Sequence, residues 1–297
     1  MADLRAHKWI DIQSGTAPVA SILEGATARG VLWQAGRRRF LLEVPEVGRY
    51  LVCDGTCITI DPAPGASEEE MIRFLRKAPL AALIYERGGL AFHAAALSPP
   101  SPWPRGVEGG GRAGAFLIAG DSGAGKSTLL AAMLQRGWSL FADDLAVVEE
   151  DENGRPVVIP TFSEVALWRD AAEKLGLSAA PREALSGPFG LSLLRFPLAP
   201  SPQFLSAVYW LCVHPKDEIE IDEVAGADRF RAIGRLTYNS HIADALLDRA
   251  VYWRFASAIA QGIPLFRIRR PLGRWSVEGL ANRLSGGVSE IRRPAGD

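Results

Sequence analysis

The sequence predicts a mixed α/β fold, in which a small N-terminal β-rich module precedes an α/β core. Residues 31–61 hold short apolar runs broken by Gly, Pro and Asp, a pattern typical of a small antiparallel sheet. Residues 115–120, AFLIAG, are a continuous apolar run of the kind found in a strand covered on both faces. A second such run spans residues 205–213. We therefore expect the module at residues 1–87 and the core at residues 88–297.

Two helices are expected to complete the N-terminal module. The segment DPAPG, residues 61–65, ends the sheet. Ser67 then precedes three glutamates, which favours a helix start because acidic side chains stabilise the positive end of the helix dipole. This helix is predicted to reach about Lys77, and Pro79 begins a second helix that extends to about Glu86.

The core is predicted to alternate strands and helices. A strand at residues 90–97 leads into a Pro- and Gly-rich connection, residues 98–114, which shows no periodicity and is expected to be exposed. After the strand at 115–120 a helical pattern runs to Arg136, and the next apolar strand covers 138–142. Further helices are predicted at 168–175, 228–236, 244–260 and 277–284, and further strands at 205–213, 219–221 and 264–268.

Charge and cysteine content exclude several classes of protein. The formal net charge is -1, so no global basic field draws the chain to nucleic acid or to an acidic membrane. The most apolar stretch, residues 80–97, is interrupted by charged residues and is not expected to span a membrane. Cys53, Cys57 and Cys212 make no disulfide framework, and the N-terminus lacks the apolar core of a signal peptide. We expect a cytoplasmic protein with reduced thiols, and the sequence leaves a homo-oligomer open.

A glycine-rich octapeptide, GDSGAGKS, lies between the strand at 115–120 and the helix that follows. It fits the motif G-x-x-x-x-G-K-[ST] of loops that bind nucleoside triphosphates. The glycines let backbone N–H groups turn towards phosphate oxygens, the lysine places a cation at the β- and γ-phosphates, and the serine hydroxyl binds Mg²⁺. The predicted nucleotide-binding residues are Gly120, Asp121, Ser122, Gly123, Ala124, Gly125, Lys126, Ser127 and Thr128.

Two adjacent carboxylates, Asp143 and Asp144, end the next apolar strand. The end of a strand beside a phosphate-binding loop is where an acid that assists Mg²⁺ is expected. The two carboxylates can take different roles, in which one binds the metal and the other faces an acceptor hydroxyl. A solvated Asp-Asp turn would have the same spacing, and the sequence alone leaves that alternative open.

These motifs resemble the HPr kinase/phosphorylase family, whose fold is a P-loop relative of ATP-dependent phosphoenolpyruvate carboxykinase. The resemblance is carried by GDSGAGKS and by Arg136-Gly137 with LFADD at residues 140–144, which is similar to the family's RG…LxADD element. His93 lies on the strand before the loop strand, where the family has an active-site histidine. The resemblance implies a P-loop core of the HPr-kinase/PEP-carboxykinase type behind a small β-rich module.

The resemblance also implies roles for individual residues. Asp144 is expected to accept the proton of a serine hydroxyl, and Lys126 and Ser127 to hold the triphosphate of ATP and the metal. His93 is expected near the transferred phosphoryl group, although a histidine on an apolar strand is also compatible with a core position. Asp143 is the expected acidic partner of Mg²⁺ alongside Ser127.

The chain departs from the classical members and resembles a divergent branch more closely. Thr128 stands where the classical enzymes usually carry an acidic residue, their Arg-rich loop has no recognisable copy, and Glu164 is the candidate for their later metal-binding glutamate. The branch is that of HPr-kinase-like proteins from bacterial peptide-tailoring systems, some of which phosphorylate a serine on a lasso-peptide precursor. FLLEVP at 40–45, DPAPG at 61–65 and HAAAL at 93–97 fit its layout.

The leading functional hypothesis is an ATP- and Mg²⁺-dependent serine kinase that acts on a peptide or small protein, with no nucleic-acid or membrane partner. Two alternatives remain open, a kinase of a small metabolite and a nucleotide-binding regulatory ATPase. A regulatory ATPase would bind ATP without transferring phosphate to any acceptor, which distinguishes it from both kinases.

Overall fold

The chain is a mixed α/β protein in a computed structural model that describes residues 11–14, 18–100, 114–177, 185–186 and 190–286. Most of the predicted connection at 98–114 lies outside the described residues. The strands are β1 (Asp11–Ser14), β2 (Ala26–Arg29), β3 (Trp33–Gly36), β4 (Arg39–Val44), β5 (Gly48–Cys53), β6 (Cys57–Pro62), β7 (Leu90–Phe92), β8 (Ala94–Ser98), β9 (Ala115–Gly120), β10 (Ser139–Ala142), β11 (Ala146–Glu150), β12 (Pro156–Ile159), β13 (Glu164–Trp168), β14 (Leu185–Ser186), β15 (Leu191–Arg195), β16 (Gln203–His214), β17 (Glu220–Glu223) and β18 (Leu265–Pro271).

The chain divides into two compact units, one made of Met1–Ala91 with Thr237–Ala256 and the other of Phe92–Leu236 with Ser257–Asp297. The boundary predicted between residues 87 and 88 stays a prediction. In the part of the chain that the structure describes, no helix is both long enough and apolar enough to cross a membrane. The helices are α1 (Glu68–Leu75), α2 (Ala78–Glu86), α3 (Lys126–Leu134), α4 (Arg169–Lys174), α5 (Ala227–Leu236), α6 (Ser240–Leu246), α7 (Arg249–Gly262) and α8 (Val277–Ser285).

The first unit is built on a sheet with the strand order β1-β6-β5-β4-β3-β2. Strands β2 to β6 pair antiparallel with their neighbours, and β1 pairs parallel with β6. Alternate residues of β5 and β6 are buried, which gives the sheet one apolar face. Ser67 caps α1, because its Oγ accepts from the Glu70 N–H at 3.2 Å and donates to Glu70 Oε2 at 2.9 Å. The Tyr50 hydroxyl donates to the Met71 carbonyl at 3.0 Å and ties this helix to the sheet.

The second unit is built around three parallel strands. Strand β9 pairs parallel with β16, and β16 pairs parallel with β18. Strands β8, β10, β11, β12 and β17 extend this arrangement by antiparallel pairing, while β13, β15 and β14 form a small separate sheet. Leu211 of β16 pairs with both Gly120 of β9 and Ile268 of β18. The three parallel strands therefore end at one edge, which is where ligands bind in open α/β sheets.

One face of these strands carries the core of the second unit. Side chains of α3 and α8 pack there against β9, β16 and β18 in a single apolar cluster. Within it, Phe116 stacks on Tyr209 with ring centroids 5.8 Å apart, and Tyr209 stacks on Phe266 at 5.9 Å. Stacked aromatic pairs contribute about 0.5–1.5 kcal/mol each beyond their buried area. The stack therefore joins side chains of all three parallel strands.

The structure differs from the sequence prediction at two strands. The predicted strand at 90–97 is broken into β7 and β8 at His93, whose N–H donates to the Leu236 carbonyl at 3.0 Å. Trp168 was predicted to begin a helix, but it ends β13 and pairs with Leu191 of β15. Both differences come from partners distant in sequence, which no local pattern reveals.

Candidate active site

The glycine-rich loop joins the end of β9 to the start of α3. Gly120 has a φ of +151° and Gly125 a φ of +99°, values that side-chain-bearing residues rarely adopt. A Cβ on Gly120 would lie 2.2 Å from the Leu211 carbonyl oxygen, so β9 approaches β16 too closely there for any other residue. Gly120 and Gly125 are therefore required by the backbone path of the loop.

The N-terminus of α3 opens onto the loop. Its N-cap residue is Gly125, which makes no side-chain capping hydrogen bond. The first N–H groups of a helix have no partner within the helix, and the helix dipole gives them a partial positive charge. An anion at this position would satisfy these groups in place of a cap. The loop and the helix start thus fit a bound phosphate chain.

Lys126 lies beneath the loop with only 7% of its surface exposed. Its Nζ donates to the Gly120 carbonyl at 2.8 Å and to the Asp121 carbonyl at 3.1 Å. Burial lowers the pKa of Lys126, whereas the nearby carboxylates of Asp144, Asp143 and Asp121 raise it. The lysine is thus a cation held by the loop backbone and close to both aspartates that follow β10.

Ser127 and Asp143 form the second part of the site. Ser127 Oγ donates to Asp143 Oδ1 at 2.9 Å, and the Ala166 N–H donates to Asp143 Oδ2 at 3.1 Å. Burial raises the pKa of Asp143 to about 6, against the opposing effect of the Ser127 hydrogen bond. A hydroxyl and a carboxylate are the oxygen ligands that Mg²⁺ prefers.

These two ligands fit magnesium bound together with a substrate. The described residues contain no group of three or more His, Cys, Asp or Glu side chains arranged to hold a metal ion. Magnesium commonly takes only one or two protein ligands and completes its shell with water and substrate phosphate. The Ser127–Asp143 pair therefore suits a metal that arrives with a nucleotide.

Asp144 and His93 form the third part of the site. Asp144 has a φ of +69° and lies at the centre of a γ-turn, in which the Leu145 N–H donates to the Asp143 carbonyl at 2.9 Å. This turn directs Asp144 away from Asp143 and towards His93, whose Nε2 lies 3.2 Å from Asp144 Oδ1. The Asp144 side chain is 49% exposed and that of His93 34%, so an incoming substrate can reach both.

The structure adds two arginines that sequence reasoning missed. Arg270 of β18 donates from Nε to the Ala124 carbonyl at 2.6 Å and from Nη2 to the Gly123 carbonyl at 3.2 Å. Arg235 of α5 donates from Nη2 to Asp121 Oδ2 at 2.9 Å. Both arginines follow the loop in the chain by more than 100 residues, and no motif marks either of them.

Two other candidates from the sequence have different surroundings. Thr128 lies in the first turn of α3, directly after the Lys126–Ser127 pair. Glu164 is buried at the start of β13, and its Oε1 lies 3.3 Å from Nη2 of Arg195. The contact described for Glu164 is thus with an arginine. The acidic side chain that contacts Ser127 is Asp143.

No model of a known protein family matches the chain, and no curated protein matches it either. Among solved structures, the chain is similar to the HPr(Ser) kinase/phosphatase from Coxiella burnetii, with 13% sequence identity and a TM-score of 0.31. The match covers 68% of this chain and 95% of that one. A likeness this loose carries no argument about function.

Proposed function

We propose that the chain is an ATP-dependent kinase that transfers the γ-phosphate to a serine hydroxyl of a peptide or small protein. One observation carries the proposal. A Ser127–Asp143 pair and an exposed Asp144–His93 pair both lie close to one buried lysine, Lys126. The first pair suits a metal, the second suits an acceptor hydroxyl, and the lysine suits the phosphates that lie between them.

The triphosphate is expected to bind along residues 120–128. Backbone N–H groups of the loop and of the first turn of α3 would donate to phosphate oxygens, and Lys126 would contribute a positive charge. Ser127 and Asp143 would hold Mg²⁺, which when bound neutralises negative charge on the β- and γ-phosphates. A phosphate oxygen can replace the loop carbonyls as the partner of Lys126 Nζ, because the side chain already lies within the loop.

Asp144 is expected to act as the general base. It would accept the proton of the serine hydroxyl as the bond from the serine oxygen to the γ-phosphorus forms and the bond from the γ-phosphorus to the bridging β–γ oxygen breaks. ADP leaves with that oxygen, and the phosphate remains on the serine. His93 contacts the same carboxylate and would hold it towards the acceptor. Most of the catalysis would come from positioning and charge.

The proposal includes the finer fold and the class of acceptor. The second unit would be a P-loop core of the HPr-kinase/PEP-carboxykinase type, preceded by the small β-rich module, in a cytoplasmic enzyme. The serine acceptor is supported by the layout of FLLEVP at 40–45, DPAPG at 61–65 and HAAAL at 93–97, which resembles peptide-tailoring kinases. A lasso-peptide precursor is the acceptor that this layout favours.

The test is incubation of the protein with ATP, Mg²⁺ and either a serine-containing precursor peptide or HPr, followed by mass spectrometry of each acceptor. The expected result is one added phosphate on a serine of the peptide and none on HPr. Phosphorylation of HPr alone would refute the proposed acceptor and leave a kinase. Hydrolysis of ATP without transfer to any member of a peptide and metabolite panel would refute the kinase and favour a regulatory ATPase.

A further inference from the structure

The phosphate-binding loop is held from outside by Arg270, near the end of β18. Besides its bonds to the carbonyls of Gly123 and Ala124, its Nη1 donates to the Pro271 carbonyl at 3.1 Å. All three guanidinium nitrogens therefore donate to backbone oxygens, and two of those oxygens belong to the loop. A Cβ on Gly125 would lie 3.2 Å from Arg270 Nε, so the guanidinium packs directly against the loop.

Because the peptide bond is planar, the contacts of Arg270 with two carbonyls also set the direction of the two N–H groups that follow them. In a trans peptide, the C=O of one residue and the N–H of the next point in opposite directions. The carbonyls of Gly123 and Ala124 point outward to Arg270, so the N–H groups of Ala124 and Gly125 point to the inner side of the loop. The Ala124 N–H donates across the loop to the Asp121 carbonyl at 3.1 Å, which is also a partner of Lys126 Nζ, so a bound phosphate would replace that carbonyl as its acceptor.

We propose that Arg270 is a positioning residue of the phosphate site, which aims the N–H groups of Ala124 and Gly125 at the bound polyphosphate by holding the two preceding carbonyls. This inference rests on the proposed function insofar as the loop binds a triphosphate. It adds a residue outside the motif on which the shape of the loop depends. The contribution of Arg270 is geometric, since its guanidinium contacts loop carbonyls that face away from the anion.

Arg269, the neighbouring residue on β18, provides a matched control. Its Nε donates to Glu220 Oε2 at 2.8 Å, and it also pairs with Asp222, both on β17. Successive side chains of a strand point to opposite faces, so Arg269 and Arg270 differ in direction while sharing charge, size and strand. Replacing Arg269 changes the charge of β18 without removing a contact to the loop.

The test measures binding of inorganic tripolyphosphate and of ATP by titration calorimetry in the full chain and in Arg270→Met, Arg270→Lys and Arg269→Met. We expect Arg270→Met to bind both ligands about 10- to 100-fold more weakly, because the variant loses two charge-assisted hydrogen bonds that order the loop. Arg270→Lys should recover only part of the affinity, because an ammonium keeps the charge but lacks the planar fork. Arg269→Met should bind within about twofold of the parent chain.

The outcomes separate this inference from the proposed function. Equal affinity of Arg270→Met and the parent for tripolyphosphate would overturn the inference, and so would a parent chain that does not bind tripolyphosphate at all. A lower midpoint of thermal unfolding in Arg270→Met with unchanged affinity of the folded protein would show a merely structural role and would also overturn it. If the parent binds tripolyphosphate with the expected ranking of variants but phosphorylates no serine, the proposed kinase fails and the role of Arg270 stands.

Discussion

Asp144 lies beside His93 because the strands next to them in the chain, β10 and β8, are antiparallel neighbours. Strand β10 pairs antiparallel with β8, and Ala142, the last residue of β10, is opposite Ala96 in the middle of β8. The residues that follow β10 therefore lie beside the residue that precedes β8. The γ-turn at Asp144 completes the approach and leaves its Oδ1 3.2 Å from His93 Nε2.

Replacing Asp144 with Asn should slow phosphoryl transfer strongly while leaving nucleotide binding intact. Asparagine tolerates the left-handed φ of this position as well as aspartate does and keeps most polar contacts, but it cannot accept the proton. We expect the transfer rate to fall about 10²–10⁴-fold with an unchanged Kd for ATP. Single-turnover transfer and equilibrium titration of the variant measure the two quantities. A collapse of ATP affinity would mean that Asp144 binds metal or supports the fold.

Replacing His93 with Gln should impair positioning of the base rather than ATP binding. Glutamine retains a donor and a polar end, but it cannot reproduce the contact of the imidazole with Asp144. We expect kcat to fall by roughly 10- to 100-fold, with the KM for ATP unchanged. Steady-state kinetics separate the two constants. An unchanged kcat would show that His93 only fills space beside the site.

Replacing Lys126 with Ala should remove productive use of ATP. The lysine is the buried cation of the loop, and its Nζ donates to the carbonyls of Gly120 and Asp121. Activity should become undetectable, and ATP affinity should fall by at least about tenfold. Lys174→Ala is the matched control, because that lysine is exposed on α4 and pairs with Asp170. Activity of Lys126→Ala within a few-fold of the parent would refute its assignment to the phosphates.

Glu86 should make the stability of the protein depend on pH. Its side chain is 7% exposed, its Oε2 accepts from the Gly55 N–H at 2.7 Å, and its Oε1 has no partner among the described residues. Burial raises its pKa from 4.5 to about 7, and the hydrogen bond from the Gly55 N–H and the charge of Arg38 only partly oppose this. The neutral form is thus favoured in the folded protein, so stability is fully present below about pH 4.5 and is lost as pH rises through about 7.

Glu86→Gln tests this dependence. The amide keeps an acceptor for Gly55 but cannot ionise. We expect the parent to lose up to about 3 kcal/mol of unfolding free energy between pH 5 and pH 8 relative to the variant. Urea unfolding of both proteins at the two pH values measures this difference. Parallel pH profiles would show that Glu86 is already ionised in the folded chain.

The parts of the site that could be predicted are those that lie in one continuous segment. The spacing of Lys126 and Ser127 from the first glycine of the motif fixed their place at the start of the helix that follows β9, and Asp143 and Asp144 follow the next strand directly. Arg270 reaches the loop only because β18 pairs with β16, which pairs with β9. This is a tertiary arrangement that leaves no local pattern in the sequence.

The break of the strand at His93 was also beyond local prediction. Residues 90–97 read as one apolar run, and the sheet ladder is interrupted by the carbonyl of Leu236, from a helix more than 100 residues later. The short strand β15 lies in residues 176–203, which are rich in Pro, Gly and Ser and show no periodic pattern, and it pairs with β13. Such elements are determined by their partners rather than by their own propensity.

The most direct test of the kinase proposal is the mass of a serine-containing precursor peptide after incubation with ATP, Mg²⁺ and either the parent chain or Asp144→Asn. A phosphate group should appear on one serine of the peptide with the parent chain. With the variant, which still binds ATP, the amount should fall at least about 100-fold at equal times. Fragmentation of the peptide should place the phosphate on the serine oxygen. A peptide left unmodified by the parent chain, or modified equally by both proteins, would contradict the account.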